Sequence, residues 1–382
     1  MDFEFTEEQR EFQRHIARYV DERVIPLAES LDETEEFPRE IVKELGDLGY
    51  LGIKYPEEYG GGGLEDANVF HCIFCEELAR GSLGVASVVG MHTSTATYTV
   101  HQWGTEELKQ KYLVPALSGD KIAAFGLTEA GAGSDAAAIR TRAERTENGW
   151  LLNGAKMFIS NGTVADFVTI AAKTDPDKRV HGISLFLVDT QTPGFSVGRR
   201  LEKFSNLCSD TAELVLENVE IPDDHLLGEE NKGFTNIYLS LATDRVMTAA
   251  LALGLSKAAY QAAYKYSRER EQFGRPISKF QAIQFRLVDM LARLQSAEFH
   301  TYHAAWAADH RENPTEEAAM AKLVATEAAN YICRKAASIF GGYGLMKEFP
   351  VQRYLRDSFF PLVAGGTNDI MKLVVARQIG LT

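Results

Sequence analysis

Residues 124–162 read AFGLTEAGAGSDAAAIRTRAERTENGWLLNGAKMFISNG, and the rest of the fold is organised around this stretch. Its apolar start gives way to Thr128 and then to a loop of small residues at 131–134. Glycines let backbone N–H groups approach a ligand closely, and Thr and Ser add hydroxyl donors. The second half contains Asn148-Gly149 between alternating residues, which is a strong signal for a β-hairpin.

The second strand of this hairpin ends in Met157-Phe158-Ile159-Ser160, before another Asn-Gly turn. A flat aromatic ring so close to a hydroxyl suits packing on a planar cofactor and hydrogen bonding to the cofactor's edge. The plainer alternative is a β-domain with tight turns and no ligand. A Gly-x-Gly loop on its own does not distinguish these two interpretations.

Apolar and polar residues alternate with a period of two from Lys121 to about Gly233. Six strand candidates in this region are separated by Asn-Gly, Pro-Gly and charged turns. They are IAAFGL, WLLNGAKMFI, DFVTIAA, GISLFLVD, FSVGRR and AELVLENVEI. Because no helical segment lies between them, the pattern predicts an antiparallel β-domain, and the Gly-x-Gly loop is not a Rossmann nucleotide site.

Helical periodicity fills the sequence on both sides of this β region. The first helix begins at a Thr6-x-x-Gln9 capping box and is expected to end at Pro26. Long helices with short links predict an antiparallel bundle over approximately 235–270, 279–311, 315–340, 350–362 and 368–379. The predicted fold class is α+β, with an N-terminal α-helical domain (1–120), a middle antiparallel β-domain (121–233) and a C-terminal four-helix-bundle-type domain (234–382).

The composition excludes several kinds of partner and site. Forty basic and 54 acidic residues give a net charge of −14, which argues against nucleic acid or an anionic membrane as the main partner. No apolar run approaches about 18 residues and the acidic start has no signal-peptide core, so we expect a cytoplasmic chain. Cys72 and Cys75 are spaced C-x-x-C, but no second pair follows, and we interpret them as buried thiols on a helix.

Asp244 is the clearest polar interruption in the predicted bundle. Its neighbours on the same helix face are Ile237, Leu241, Thr248, Leu251 and Leu255. A carboxylate placed there loses water, so its pKa should rise toward the range that suits a general base. The alternative is that Asp244 pairs with a basic residue from another element, as buried carboxylates usually do.

Three histidines on one predicted helix face, His300, His303 and His310, raise the question of a metal site. A di-iron bundle would need Glu-x-x-His pairs, which the sequence lacks, and one helix rarely supplies every ligand. A solvated or interface face is therefore favoured, with no metal expected. Neither a G-x-S-x-G nor an H-E-x-x-H motif occurs in the sequence.

Seven motifs in order give the sequence a resemblance to the acyl-CoA dehydrogenase family over essentially its whole length. They are EYGGGG at 58–63, GLTEAGAGSD at 126–135, NGAKMFISNG at 153–162, REREQFGRPI at 268–277, FQAIQFRLVDM at 280–290, IFGGYG at 339–344 and GGTNDIMKLVVAR at 365–377. The α–β–α domain order of that family equals the order predicted from periodicity.

The resemblance implies FAD as the cofactor, with contacts assigned position by position. Thr128 matches a residue that reaches the pyrimidine edge of the flavin, Phe158 the aromatic ring on its face, and Ser160 the hydroxyl near the nitrogen that receives hydride. Ser134 matches a residue shared by the cofactor and the thioester ligand. The flavin-side residues so implied are Phe125, Leu127, Thr128, Gly133, Ser134, Phe158, Ile159 and Ser160.

Members of this family bind the adenosine part of FAD across a subunit interface. The resemblance therefore implies a homotetramer, or at least a dimer. The residues that match the adenosine and pyrophosphate positions are Arg270, Phe273, Gln281, Ser338, Gly341, Gly342, Thr367 and Asp369.

One position departs from the commonest family pattern. Many relatives have Glu-Gly-Thr, with the Glu as catalytic base, where this chain has Gly365-Gly366-Thr367. Isovaleryl-type and long-chain-type relatives also have Gly there, and their catalytic Glu precedes an Arg on the first long bundle helix. This chain has Asp244-Arg245 at that place, so the resemblance and the apolar stripe select the same base.

The implied reaction is α,β-dehydrogenation of an acyl-CoA to a trans-2-enoyl-CoA. Asp244 would take the α-proton, and Gly365 or its neighbour Gly366 would donate a backbone hydrogen bond to the thioester carbonyl. Ser134 and Arg245 complete the implied substrate contacts, Arg245 by orienting the carrier arm or the base. Electrons would pass from the flavin to an electron-transferring flavoprotein.

Three other functions are compatible with the same motifs. The acyl group could be held on a carrier protein instead of CoA. The fold also hosts flavin oxidases and monooxygenases. Finally, with the usual Glu absent, the chain could be a flavin-binding scaffold without dehydrogenase activity.

Overall fold

A computed structural model of the chain describes residues 4–381, with a helical region, a sheet region and a second helical region in that order. The predicted α+β class and domain order are confirmed. The helices before the sheet are α1 (Glu7–Tyr19), α2 (Ala28–Thr34), α3 (Arg39–Asp47), α4 (Ala67–Gly81), α5 (Leu83–Met91), α6 (Thr97–Trp103), α7 (Glu106–Leu108) and α8 (Val114–Leu117).

The start of α1 is capped as predicted, but its continuation differs from the prediction. Thr6 and Gln9 exchange side-chain-to-backbone hydrogen bonds, which completes the capping box. Pro26 does not end the helical run, because a π turn (Val20–Val24) and a 3-10 turn (Ile25–Leu27) carry the chain into α2. Pro26 lies in the first turn of that last segment, where its missing N–H costs no helical hydrogen bond.

The middle region forms one seven-stranded sheet with the order β1-β4-β2-β3-β7-β6, and β5 pairs with β4. Asn148 lies in the turn of a β2–β3 hairpin in which Arg145 pairs with Trp150, as predicted. The strands are β1 (Ala123–Gly126), β2 (Arg142–Arg145), β3 (Gly149–Ser160), β4 (Phe167–Lys173), β5 (Ile183–Asp189), β6 (Phe195–Arg200) and β7 (Thr211–Pro222).

Most strand pairs of this sheet are antiparallel, but β1 runs parallel to β4, and β2 meets β4 in parallel at one residue pair. The prediction of a wholly antiparallel domain is therefore corrected. The β2–β3 hairpin lies between β1 and β4 in sequence, so it supplies the long connection that parallel neighbours require.

The last region is the predicted bundle, built on three long helices. Its helices are α9 (Gly233–Glu269), α10 (Gln281–His310), α11 (Thr315–Phe340), α12 (Val351–Asp357), α13 (Phe360–Val363) and α14 (Asn368–Gln378). A short hairpin, β8 (Glu271–Gln272) with β9 (Arg275–Pro276), joins α9 to α10. The single helix predicted over 350–362 is two helices, α12 and α13.

Helix α9 is the centre of the molecule. It packs against α4 from the N-terminal region and against α10 and α11 of the bundle, so the two helical regions share one apolar core. All four cysteines are free and buried, as expected for Cys72 and Cys75. Within residues 4–381, no single helix has the length and apolar character to cross a membrane; one bent pair, Val351–Val363 with Asn368–Gln378, meets both criteria.

Candidate functional site

Asp244 lies inside the molecule, on the buried middle of α9, and its residue surface is 5 % exposed. The hydroxyls of Thr95 and Ser94 donate to its Oδ1 atom over 3.1 Å and 3.4 Å. Both hydroxyls come from a π turn, His92–Ala96, in which Ser94 has non-helical dihedrals. This kink between α5 and α6 turns the two hydroxyls toward α9.

The carboxyl of Asp244 is not neutralised by an ion pair. None of the described Lys, Arg or His residues forms a salt bridge with it, and its hydrogen bonds come from two hydroxyls. The alternative of a carboxylate paired with a basic residue is therefore not observed. Burial raises the pKa of Asp244, and the Thr95 hydrogen bond, Arg245 and Lys54 offset part of that rise. Asp244 is therefore a desolvated acid whose hydrogen bonds from Thr95 and Ser94 both go to one oxygen, Oδ1.

Gly365 comes from the opposite side of the same site, in the turn between α13 and α14. It has a φ of +65°, and Gly366 follows with a φ of +94°, so both need the left-handed region that glycine tolerates. A Cβ atom at position 365 would lie 3.2 Å from Asp244 Oδ2 and 3.1 Å from Thr248 Oγ1. Positions 244 and 365 thus meet at one point, where the second carboxylate oxygen of Asp244, Oδ2, faces Gly365.

A buried lysine on α11, Lys322, holds this turn. Its amine donates to the carbonyl oxygens of Gly366 and Leu362, at 2.8 Å and 3.2 Å, and to Asn368 Oδ1 at 2.8 Å. Burial lowers the pKa of Lys322 to about 8. The sequence analysis missed this residue, although a lysine on an alanine-rich helix face was a visible signal.

Arg245 is buried beside Asp244, with 4 % of its surface exposed. Within residues 4–381 its Nε atom has no hydrogen-bond partner, and burial lowers its pKa. The residue therefore presents an unused donor near the base.

The small-residue loop predicted to contact the cofactor is held by a second buried lysine. Lys156 on β3 donates to Leu127 O at 3.1 Å and pairs with Glu129 Oε1 at 2.7 Å. Glu129 also accepts hydrogen bonds from the backbone and side chain of Thr141. Burial lowers the pKa of Lys156 to about 8. The sequence analysis did not identify this pair, because its members are 27 residues apart.

Phe158 stands out from the sheet beside that loop. The register of β3 against β7 shifts between Lys156 and Ile159, and Phe158 has a φ of +61° within this bulge. Its surface is 64 % exposed, while Ile159 is buried, and Met157 N donates to Thr128 O at 2.8 Å. The bulge aims an aromatic ring outward next to the loop. Phe125, Leu127 and Thr128 are partly accessible there, and Gly133 and Ser134 are exposed.

Most of the residues expected at the adenosine end lie at one end of the bundle, where the β8–β9 hairpin meets the end of α11. Phe273, at the tip of the β8–β9 hairpin, is 93 % exposed, and Arg270 lies over the ring of Tyr343 at 5.7 Å. Gln281 opens α10, and Ser338, Gly341 and Gly342 lie at the end of α11. Thr367 and Asp369 lie apart from them, beside the 365–366 turn: Thr367 caps α14, Asp369 is in its first turn, and Asn368 between them accepts a hydrogen bond from Lys322. No hydrogen bond or ring contact of the described chain joins Phe273 to Phe158.

The histidine face on α10 does not form a metal cluster. His303 and His310 stack on Trp306, at 6.3 Å and 5.0 Å between ring centroids. Among residues 4–381, no three His, Cys, Asp or Glu side chains are grouped as metal ligands.

Three family models match the chain in order. They are the acyl-CoA dehydrogenase N-terminal domain at residues 6–120, the middle domain at 124–219 and the C-terminal domain at 231–380. Benzylmalonyl-CoA dehydrogenase of Aromatoleum aromaticum is 42% identical over 99% of this chain and 100% of its own.

Two solved structures have nearly the same backbone. Butyryl-CoA dehydrogenase from Megasphaera elsdenii has a TM-score of 0.96 at 38% identity, covering 99% of this chain and 100% of its own. A glutaryl-CoA dehydrogenase in complex with glutaryl-CoA has a TM-score of 0.98 at 36% identity, covering 100% of this chain and 98% of its own.

Proposed function

The chain belongs to the acyl-CoA dehydrogenase family, and from that premise we propose that it oxidises an acyl-CoA to a trans-2-enoyl-CoA with Asp244 as the α-proton base. It is a flavoprotein oxidoreductase whose cofactor is FAD. The convergence of Asp244 and position 365 carries the proposal. Of these two positions, only 244 on α9 carries an acid, because Gly365 has no side chain.

The α-hydrogen of a thioester is weakly acidic, so its removal needs both a base and stabilisation of the enolate. Asp244 suits the first task, because burial raises its pKa and its Oδ2 faces Gly365. The turn at 365–366 suits the second, because a backbone N–H there can donate to the thioester oxygen, worth on the order of 3 kcal/mol per donor. Lys322 fixes the turn, and Arg245 supplies a further donor for the carrier arm.

The residues around Phe158 fit a flavin. An exposed aromatic face, a loop with exposed Gly133 and Ser134, and the partly accessible Ser160 lie together on the sheet. A bound flavin supplies the acceptor for the hydride that leaves the β-carbon. The protein's part is to hold the thioester between this face and Asp244 and to exclude water from the base.

The remaining assignments extend the same proposal. We propose domains at 1–120, 121–233 and 234–382, a homotetramer that completes the adenosine site, and an electron-transferring flavoprotein as the electron acceptor. An exposed apolar strip on α10, Phe285, Val288 and Leu291, supports an interface between copies of the chain. The cytoplasmic location stays a prediction that cell fractionation tests.

Anaerobic titration with thioesters tests the role of Asp244. Asp244→Asn should retain bound FAD and lose flavin reduction by about 10²–10⁴-fold, because the proton has no acceptor. Asp244→Glu should keep measurable reduction, and Asp177→Asn, which changes an exposed carboxylate, should match the unmodified protein. Equal reduction rates for Asp244→Asn and the control would remove Asp244 from the mechanism.

The same preparation separates the competing functions. Reduction by carrier-bound thioesters but not by CoA thioesters would favour a carrier-protein substrate. Oxygen consumption without an added electron acceptor would favour an oxidase or monooxygenase. A flavin that no thioester bleaches would identify a scaffold without dehydrogenase activity.

A further inference from the structure

The two carboxylate oxygens of Asp244 have different surroundings. Oδ1 accepts hydrogen bonds from the hydroxyls of Thr95 and Ser94, at 3.1 Å and 3.4 Å. Oδ2 accepts no hydrogen bond from residues 4–381, and it faces Gly365, where an added Cβ atom would lie 3.2 Å away. The hydroxyl of Thr248 does not donate to Oδ2, because it donates to the backbone oxygen of Asp244 at 2.9 Å. One oxygen is therefore held, and the other is free to react.

The short side chain of Asp244 needs few contacts to fix its direction. An aspartate on a helix has only two torsions: χ1 is confined to staggered wells, and χ2 is broad, so the two oxygens can exchange places. A hydrogen bond to one oxygen of an ionised carboxylate restrains χ2 and is stronger than a bond between neutral groups. Thr95 is β-branched and stiff at χ1, which makes its hydroxyl a fixed donor. The contact with Thr95 is therefore sufficient to determine which oxygen of Asp244 faces position 365.

The kinked segment that carries both hydroxyls is fixed by hydrogen bonds other than those of its own helix ladder. The hydroxyl of Tyr55 donates to the carbonyl oxygen of Thr93 at 3.0 Å, and Thr97 donates from its hydroxyl to the carbonyl oxygen of His92 at 2.7 Å. A π turn leaves backbone groups without their usual helical partners, so side-chain donors of this kind fix its shape. Residues 92–97 are all buried. The segment therefore presents its hydroxyls to α9 in one position.

His92 connects this segment to the strand that leads into the flavin-side loop. Its Nδ1 accepts from the backbone N–H of Ala123, the first residue of β1, at 3.1 Å, and its Nε2 lies 2.8 Å from the carbonyl oxygen of Ala116. Because a backbone N–H can only donate, the imidazole carries its proton on Nε2 and donates it to Ala116. Burial lowers the pKa of His92 to about 4, so the ring stays neutral and keeps both bonds at neutral pH. One imidazole thus ties the segment that holds the base to the flavin-side residues 125–128.

We propose that Thr95, assisted by Ser94, is the positioning residue of the base and holds Oδ1 of Asp244 so that Oδ2 takes the α-proton. This inference rests on the proposed function and deepens it. Oδ2 forms the new O–H bond as the α-carbon–hydrogen bond breaks, and the electron pair of that bond stays with the thioester as the enolate. Oδ1 keeps its hydrogen bonds throughout, so the carboxyl does not turn when it becomes neutral.

The charged groups around Asp244 act on its pKa without holding either oxygen. Burial raises this pKa, while the Thr95 hydrogen bond and the charges of Arg245 and Lys54, whose amine is buried, lower it. The charge of Asp244 also acts on Lys322, whose amine is committed to the 365–366 turn. In the described part of the chain none of these three cations forms a salt bridge with Asp244. Because Thr95 donates to the ionised carboxylate, loss of its hydroxyl should raise the pKa of Asp244 further.

Stopped-flow measurement of flavin reduction against pH tests the role of Thr95. Thr95→Val keeps the branched shape and removes the donor, so the acid limb should move to higher pH. The plateau rate at high pH should also stay about ten- to hundredfold below that of the unmodified protein, because the ionised base is no longer aimed. Thr95→Ser restores the donor and should recover most of the rate and the original limb. Thr301→Val, which removes a buried hydroxyl that donates within α10, should change neither. An unmoved acid limb or an equal plateau rate in Thr95→Val would overturn the proposal.

Thermal unfolding keeps this test separate from the proposed chemistry, because it requires no turnover. The Tm of Thr95→Val should lie further below that of the unmodified protein at pH 8 than at pH 5, since the ionised Asp244 has lost its donor. In the Asp244→Asn background the effect of Thr95→Val should be independent of pH. A Tm difference that does not depend on pH in the unmodified background would show that Thr95 does not hold the carboxylate. Rapid flavin reduction by Asp244→Asn would instead contradict the proposed function, and the Tm comparison would still decide whether Thr95 holds Asp244.

Discussion

Asp244 is an acidic side chain in a part of the molecule from which water is excluded. This burial couples the protonation of Asp244 both to activity and to the stability of the fold. Burial favours the neutral carboxyl, so the folded-state pKa lies above the ordinary value of 3.8. At low pH the carboxyl is neutral in both the folded and the unfolded chain, so it has no effect on stability. Once the pH exceeds that ordinary value, the unfolded chain ionises more readily, and the free energy of unfolding falls. The burial that makes Asp244 suitable for α-proton removal therefore also makes it destabilise the fold at neutral pH.

We expect this coupling to be visible in two pH profiles. The kcat/KM of the FAD-loaded protein should fall as the pH drops through the raised pKa of Asp244, because the base becomes protonated. Asp244→Asn should lose this acid limb and should melt no lower than the unmodified protein at pH 7, since no buried charge remains. A lower Tm for Asp244→Asn at pH 7 would show that Asp244 stabilises the fold instead.

Gly365→Ala is expected to be harmful for two reasons that can be separated. The φ of +65° strains any residue with a Cβ, by about 1–2 kcal/mol, and the new Cβ would press on Asp244 and Thr248. Gly49→Ala is the matched control, because Gly49 also has a positive φ but open space around it. Gly365→Ala should lower both Tm and flavin reduction, whereas Gly49→Ala should lower Tm only. Equal activity losses would exclude a local effect at the base.

Two elements position the site through buried lysines. Lys322 on α11 holds the 365–366 turn, and Lys156 on β3 holds the loop that begins at Leu127. In each case a long side chain from a regular element donates to backbone carbonyls of an irregular one. Irregular segments cannot satisfy all their own backbone groups, so a buried donor from a rigid neighbour fixes them in place.

Lys156→Met should detach the flavin-side loop from the sheet. It leaves Glu129 buried without its cation, and breaking such a pair costs about 3–5 kcal/mol. We expect a clear loss of Tm and weaker FAD binding, measured by flavin fluorescence during dilution. Lys178→Met breaks an exposed pair with Asp175 and should change stability by less than about 1 kcal/mol. Unchanged FAD affinity in Lys156→Met would show that the loop does not need this anchor.

At the scale of the whole molecule, α9 joins the two helical regions and carries the base between them. The site exists only where the kink of the N-terminal region, the middle of α9 and the 365–366 turn meet. The flavin-side surface is on the sheet, and most of the expected adenosine-side residues are at the far end of the bundle, while Thr367 and Asp369 adjoin the 365–366 turn. Such a separation is what a site shared between subunits would require.

Val288→Asp tests whether a second copy of the chain completes the cofactor site. Val288 is 62 % exposed on the α10 strip, near the hairpin that carries Phe273. We expect light scattering to give a dimer or tetramer for the unmodified protein, and a smaller species with at least about tenfold weaker FAD binding for Val288→Asp. Leu48→Asp, at an exposed leucine of the N-terminal region, is the control. A monomer that binds FAD tightly would contradict the shared site.

The sequence by itself determined the α–β–α order, the hairpin at Asn148 and the burial of Asp244, because these depend on periodicity and turn chemistry within short windows. Only the tertiary structure decided that β1 lies parallel to β4, that Gly365 faces Asp244, and that Lys54, Lys156 and Lys322 have buried amines. Each of these features joins residues far apart in the chain, and the partner of a buried charge is fixed by packing, which no local pattern encodes.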